Sequence, residues 1–356
     1  MKYSLTKDQK KFNVFFDYGI MDHDTVIVGG GPAGLAAAFF LEGRVAVIER
    51  LDSNYERYHS ICGEGISEDA FASLRPMEPW AVKNHVTVTK LKWPGGKILE
   101  IGSKGYILDR PKFLKELKSK CNAEFIHGNV VDIRDNCDHY EVILGNGTTI
   151  RCRYIIGADG CYSVVRKKLF SSEPLRMISV KHSIVEEEHD GSMTVELSEK
   201  YDGTYRWTFP SGDNVSIGCM TSVDETKGAV RKVPIGCVED VVKGNAFLTG
   251  DAAGMANPIS FGGLKAALLA GKNAAHAINK GDPKIYGRWW SLSILSSKKF
   301  MKFHERLRKW SDDDMKKASR PFRNGHLILS AIAAILTKPW NINMYIGCLF
   351  AFKFSW

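Results

Sequence analysis

Gly29-Gly30-Gly31-Pro32-Ala33-Gly34 is the first stretch whose residue types and spacing can do chemistry. Gly29, Gly31 and Gly34 satisfy G-x-G-x-x-G, with Ala33 just before the last glycine. In such a turn the first glycine makes the bend, the second lets the backbone approach a pyrophosphate, and the third lets the helix pack on the strand. The helix N-terminus then faces the phosphate charge. Glu49 stands twenty residues after Gly29, where an acid binds ribose hydroxyls and disfavours a 2′-phosphate. The elements that must position these groups are readable around them. Thr25–Val28 reads as a buried strand, Ala33–Leu41 as a helix ended by Gly43, and Val45–Ile48 as a second strand. Together they make one βαβ unit.

Two later turns have the same character. Gly157-Ala158-Asp159-Gly160 follows a buried strand at Tyr154–Ile156, and Gly250-Asp251-Ala252-Ala253-Gly254 follows one at Ala246–Leu248. Asp159 and Asp251 can each accept a hydrogen bond from a ribose or ribityl hydroxyl, although either motif alone is also an ordinary Asp-Gly turn. Gly262-Gly263 opens a helix running to Ile278, whose N-terminus favours negative charge. Elsewhere Arg110–Cys121 reads as a helix with Phe113, Leu114 and Leu117 on one face. Glu124–Ile126, Tyr140–Leu144 and Thr148–Ile150 read as short strands. From Met177 to Met220 the chain alternates as antiparallel strands do, with Met193–Leu197, Tyr205–Phe209 and Val215–Cys219 as the clearest.

Dinucleotide-type segments therefore occur early, midway and late, with antiparallel material between them. The pattern predicts an α/β fold: a Rossmann-type domain (residues 24–75, 105–170 and 240–285) interleaved with an antiparallel-sheet substrate domain (76–104 and 171–239). A basic, apolar, helical region follows at 286–356. Residues 1–23 form an extension, and a start at Met21 would suit this fold better.

Taken in order, GGGPAG with Glu49, GADGxxSxVR and GDAAG resemble the glutathione-reductase-type FAD fold in its p-hydroxybenzoate-hydroxylase-like branch. The resemblance runs from Thr25 to about Ala275 and implies FAD as cofactor. It implies FAD contacts at Gly29, Gly31, Ala33, Gly34, Glu49, Asp251 and Gly263, with Val130, Asp159 and Leu264 joining that set. Three further pieces resemble the geranylgeranyl reductase family. Cys62-Gly63-Glu64-Gly65-Ile66-Ser67 matches its C-G-E/G-G-L/I-S element, which puts Cys62, Gly63 and Gly65 at the flavin. Asp109-Arg110-Pro111-Lys112-Phe113 matches D-R-x-x-F, which implies that Arg110 lies near the flavin nucleotide. Tyr205-Arg206-Trp207-Thr208-Phe209-Pro210 matches Y-x-W-x-F-P, which implies that Tyr205, Trp207, Phe209 and Pro210 line the substrate cavity. Gly218 falls where the family has the first glycine of G-x-G, but Met220 replaces the second.

These matches imply reduction of isolated C=C bonds in the geranylgeranyl chains of isoprenoid lipids. An alkene without a carbonyl cannot hold an anion, so a placed acid and a dry pocket are needed. Cys62 is the candidate for that acid, or for a group that tunes the flavin. The rivals are a flavin monooxygenase or halogenase on the same fold, and a flavoprotein that only passes electrons to a partner. A halogenase would carry W-x-W-x-I-P where this chain has Tyr205–Pro210. A second G-x-G-x-x-G is absent, so the electron donor is NAD(P)H bound transiently or a ferredoxin.

Composition bounds the partners. The net charge is +9, and +7 of it lies between Arg288 and Arg323, where eleven Lys/Arg face four Asp/Glu. Such a cluster suits an anionic surface or is simply a solvated face. Trp289, Trp290, Phe300, Phe303 and Trp310 interleave with Lys298, Lys299, Lys302, Arg306 and Arg308, which suits lipid head groups and peripheral membrane contact. Nucleic acid is disfavoured, since no zinc-finger spacing or RNA-binding aromatic signature occurs. Eight scattered cysteines show no metal-ligand spacing, and no signal peptide is evident, which predicts free thiols in the cytoplasm and no metal. The apolar runs Leu327–Leu336 and Met344–Phe352 are each too short to span a bilayer.

Overall fold

The computed structural model describes residues 21–222, 228–324, 326–337 and 339. Most of the extension, Cys348 and the Met344–Phe352 run lie outside them. Two eight-stranded sheets organise the chain.

The chain opens with β1 (His23–Val28), α1 (Pro32–Phe40) and β2 (Val45–Glu49), the expected βαβ unit. Then come α2 (Tyr55–His59), β3 (Gly65–Ser67) and α3 (Glu68–Leu74), followed by a long hairpin of β4 (Val82–Lys92) and β5 (Ile98–Leu108). The helix α4 (Arg110–Ser119) starts with Asp109, whose side chain caps Lys112 N–H at 3.2 Å, and buries Phe113, Leu114 and Leu117. The strands β6 (Glu124–His127), β7 (Val130–Asp135), β8 (Tyr140–Leu144) and β9 (Thr149–Gly157) complete most of the first sheet. Thr148–Ile150 and Tyr154–Ile156, read as two strands, are the single strand β9. Its first half pairs antiparallel with β8 and its second half parallel with β1, so one strand shows two sequence patterns.

The second sheet takes β10 (Arg176–Val185), β11 (Met193–Glu196), β12 (Arg206–Ser211), β13 (Asn214–Met220) and β14 (Ala229–Ile235). Its order is β14-β10-β13-β12-β11-β4-β5-β3, antiparallel except for the parallel pair β11/β4. Thus the stretch before Ser67, early in the chain, hydrogen-bonds into this sheet through β3. The chain then returns through β15 (Val242–Lys243) and β16 (Ala246–Leu248) to the first sheet, and ends in α5 (Leu264–Asn279), α6 (Lys284–Leu292), α7 (Lys298–Leu307), α8 (Asp312–Ser319) and α9 (Leu327–Thr337).

In the first sheet β16, β9 and β1 lie side by side and parallel, with Leu248, Gly157 and Val28 at one level. All three glycine turns therefore leave the same sheet edge, at the carboxyl ends of the strands. That is where ligands bind in open α/β sheets. Backbones come unusually close here. A Cβ on Gly34 would lie 1.9 Å from Gly29 O, and one on Gly271 of α5 would lie 2.3 Å from Ala33 O.

The helices α7, α8 and α9 pack on the second sheet, around Leu91, Trp93 and Leu99. Phe300, Phe303 and Leu307 of α7 are buried while Lys298, Lys299 and Lys302 face out. Of the aromatic residues expected to interleave with the basic ones on a surface, Phe300 and Phe303 are thus turned inward, because a helix at this spacing puts them on the opposite face; Trp290 is buried too, while Trp289 and Trp310 stay part-exposed. On α9, Ala334 packs inward while Leu329, Ile332 and Leu336 are exposed. Among the described residues no helix is long and apolar enough to cross a membrane. The seven described cysteines are all free thiols.

His304 locks α7 to the sheet. Arg176 can only donate, so His304 Nε2 accepts from Arg176 Nη1 at 2.9 Å, and Nδ1–H donates to Gly203 O at 3.1 Å. Burial, helped by Arg176, lowers its pKa to about 4. His182 is lowered to about 4 and His59 to about 2, chiefly by burial.

Two stability outcomes follow. Between the unfolded histidine pKa of about 6.5 and the folded values, only the unfolded chain takes up these protons. Their stabilising effect is complete above pH 6.5 and is lost as the pH falls toward 4, by up to about 1.4 kcal/mol per pH unit for each histidine. Urea unfolding from pH 7 to 4 should show this slope, and His304→Gln should flatten it; an equally steep His304→Gln curve would contradict the assignment. Gly34→Ala should cost about 1–3 kcal/mol from overpacking. Gly102→Ala, where nothing lies within 4 Å of an added Cβ, should shift the midpoint little.

Candidate active site

The turn after β1 is shaped as its spacing requires. Gly29 has φ +102°, and a Cβ on it would sit 2.4 Å from Ala158 O, so the first turn lies directly against the second. Glu49 accepts from Gly30 N–H at 2.8 Å through one oxygen and from Leu51 N–H at 2.7 Å through the other. Each oxygen keeps a further lone pair for a ligand hydroxyl. The N-caps of α1 and α5 are Gly31 and Gly263, which have no side chain to cap the first N–H groups. Both helices therefore offer free donors and positive dipole ends.

The other two turns are bolted together. Thr249 donates twice to Gly157 O, from N–H at 2.9 Å and from Oγ1 at 3.2 Å. The fully buried Arg166 donates to Ala252 O at 2.8 Å and Cys161 O at 2.9 Å, and pairs with Glu173 at 2.8 Å. Asp159 spends Oδ2 on Val164 N–H (2.6 Å) and Val165 N–H (3.3 Å), so it caps the turn leading to Arg166. Its Oδ1 is buried and has no hydrogen-bond partner among the described residues. Burial raises its pKa. Asp251 accepts from Arg231 Nη2 at 3.1 Å.

The Cys62–Gly65 loop rests on an inner frame. Glu64 has φ +59° and is buried, taking Lys83 Nζ at 2.6 Å and Arg110 N–H at 3.2 Å. Burial raises its pKa and Lys83 opposes that. The Arg110 guanidinium donates to His59 O and, at 3.4 Å, to Ile61 O, so it grips the chain just before Cys62. A Cβ on Gly63 would meet Phe209 at 2.8 Å and Trp207 Nε1 at 3.6 Å, so this loop lies on the aromatic strand.

From Tyr205 into β12 the period of two puts Tyr205, Trp207 and Phe209 on one face and Pro210 on the other. The Trp207 ring covers Gly218, where a Cβ would lie 1.9 Å from it. Trp207 Nε1–H donates to Ser216 Oγ at 3.2 Å, leaving the serine proton for the neutral His182 at 3.0 Å. The Tyr205 hydroxyl donates to Ser260 O. Asn257 Oδ1 accepts from Ile259 N–H (2.8 Å) and Ser260 N–H (3.1 Å), which shapes the loop leading to Gly262-Gly263.

All this surrounds one cavity of about 510 Å³. At its polar end it is lined by Gly29, Gly31, Ala33, Glu49, Val130, Asp159 and Asp251. Its middle is lined by Cys62, Gly63, Gly65, Arg110, Gly263 and Leu264, and across from them by Tyr205, Trp207 and Phe209. Gly34 and Pro210 are not on the wall: Gly34 lies under Gly29, and Pro210 points to the other face of β12.

Beyond the aromatic strand the cavity continues as an arm between the second sheet and α7, lined by Leu91, Trp93, Val195, Leu197, Phe303, Leu307 and Trp310. Sequence reasoning missed this arm, because its walls come from segments more than 200 residues apart. It also missed Arg231, which faces Asp251 and stands 5.4 Å over the Tyr58 ring. An arginine on the same strand face as Val233 was the available signal, since alternation turns both toward the cavity.

The comparisons with known proteins agree with this architecture. No family model matches the chain. It is similar to several digeranylgeranylglycerophospholipid reductases, among them reductase 2 of Methanopyrus kandleri, at 27% identity over 320 residues, 74% of this chain and 79% of that protein. In structure it is similar to a geranylgeranyl bacteriochlorophyll reductase-like protein from Thermoplasma acidophilum, with TM-score 0.73 and 19% identity, covering 92% of this chain and 99% of that one. It is also similar to a probable FAD-dependent monooxygenase from Pseudomonas aeruginosa, with TM-score 0.65 and 15% identity, covering 83% and 98%. The chain is thus an oxidoreductase related in sequence to the digeranylgeranylglycerophospholipid reductases and built on the α/β fold of FAD-dependent enzymes.

Proposed function

We propose that the chain is an FAD-dependent reductase that saturates C=C bonds in the geranylgeranyl chains of isoprenoid lipids. The observation that carries this reading is the continuity of one cavity from three nucleotide-type turns to an apolar, aromatic arm.

The residues present suit FAD. Gly31 leaves open space, with only His59 Cε1 near an added Cβ, at 3.4 Å. Two glycine-capped helix N-termini offer donors to anionic groups. Glu49 stands ready for ribose hydroxyls and the buried Asp159 Oδ1 awaits a donor. Gly29, Gly31, Ala33, Glu49, Val130, Asp251, Gly263 and Leu264 would hold the nucleotide. Arg110 would act by fixing the Cys62 loop as much as by its own charge. When reduced, FAD supplies a hydride.

The chain's own residues do the rest. The arm beyond Trp207 and Phe209 receives the prenyl tail and excludes water from it. Each saturated bond takes one hydride and one proton, and the proton must come from a group facing the alkene. Cys62 is that group in this reading: it lines the cavity beside Gly63, which lies against the aromatic strand. The electrons enter from NAD(P)H or a ferredoxin. The exposed Lys298, Lys299 and Lys302 serve peripheral contact with an anionic lipid surface.

Incubating the FAD-loaded, dithionite-reduced protein with geranylgeranylated lipids should raise their mass by one H₂ per bond. Unchanged mass defeats the reading, and rapid oxygen uptake with NAD(P)H and an aromatic substrate would replace it with a monooxygenase. Cys62→Ala should keep the flavin and lower the saturation rate by about 10²–10⁴, the usual contribution of a placed acid. An undiminished rate would remove Cys62 from that role.

A further inference from the structure

Trp310, which lines the apolar arm, sits at a rigid corner. Leu91, Trp93, Phe303 and Leu307 are all buried around it, while Trp310, between α7 and α8, is part-exposed among the described residues. Trp310 N–H donates to Leu307 O at 3.2 Å, and the next residue, Ser311, closes a reciprocal capping box with Asp314. Asp312 accepts from Glu199 N–H at 2.7 Å and returns its own N–H to Glu199 Oε2 at 3.2 Å. Arg308 Nε bonds Asp202 at 2.9 Å, and its side chain lies over Gly203, where a Cβ would come within 2.3 Å. The corner is therefore fastened on both sides of Trp310 to the loop after β11.

Rigidity at that point has a consequence for binding depth. Hydrophobic attraction is non-directional, so apolar walls alone let a chain slide. A fixed wall at the end does not.

We infer that Trp310 is the end stop of the arm. One prenyl tail enters end-on, its terminal unit meets the Trp310 ring, and this contact decides which double bond lies beside Cys62 and Gly63. Trp310 is a specificity-determining residue: the tail length accepted and the position of the first saturated bond are set at the α7–α8 corner. This inference rests on the prenyl-reductase reading above.

The test uses the full chain loaded with FAD, reduced with dithionite, and given prenylated glycerophospholipids with tails of three, four and five isoprene units in detergent. Mass fragmentation locates the first bond saturated. Trp310→Ala should move the preference toward longer tails by on the order of tenfold in relative kcat/KM, within the range expected for small changes in an apolar pocket. It should also shift the first saturated bond along the tail. Leu307→Trp should move both the other way, and bound flavin reports that each variant is folded. If both variants keep their flavin with length preference and bond position unchanged, the end stop is wrong although the reductase reading stands. If the unaltered protein saturates no tail of any length, the reductase reading itself falls, and this inference with it.

Discussion

A buried guanidinium that is tied to two backbone carbonyls holds its neighbourhood still, because moving either carbonyl strands a polar group in the dark. Arg166 is such a group. It joins Cys161 O of the second glycine turn to Ala252 O of the third, and Thr249 ties the same two turns again through Gly157 O. The first turn is pressed onto the second because Gly29 has no side chain to keep Ala158 away. Three segments far apart in sequence thus share one backbone-to-backbone junction at one sheet edge. Both free helix N-termini, Glu49, Asp251 and the Asn257–Gly263 loop take their positions from it.

From that junction the cavity changes character along its length. It starts among helix N-termini and carboxylates, passes the Cys62 loop between Arg110 and the aromatic strand, and ends among Leu91, Trp93, Phe303 and Leu307. The middle is where the two sheets meet, since Gly63 lies on Phe209 and Trp207, and the Tyr205 hydroxyl reaches Ser260. Charge at one end and apolar wall at the other suit a ligand pair of the same two kinds. A redox nucleotide and an alkyl chain would meet at the join.

Much of the polar end was legible in the sequence, because its signals are local. A glycine that must allow a bend or a close approach is marked by its own type and spacing, as Gly29, Gly34 and Gly263 are. The alternation of Tyr205, Trp207 and Phe209 likewise fixed their shared face. What depends on contacts across the chain was hidden. The two pairing modes of β9 made it read as two strands. The inward aromatic face of α7 read as part of a basic surface, since sequence alone does not show which face meets a sheet. Asp159 and Arg110 carry motif positions whose polar atoms are partly spent on the backbone, which spacing cannot reveal. The apolar arm needed β4, β11 and α7 brought together, and no single segment announces it.

In the proposed function, flavin and prenyl tail occupy one continuous cavity and meet beside Cys62. A crystal structure of the FAD-loaded protein with a bound geranylgeranyl lipid tests it most directly. The nucleotide should lie on the turns after β1, β9 and β16, with the tail in the arm between Trp207 and Trp310. A lipid bound elsewhere on the surface, with the arm filled by side chains, would contradict it.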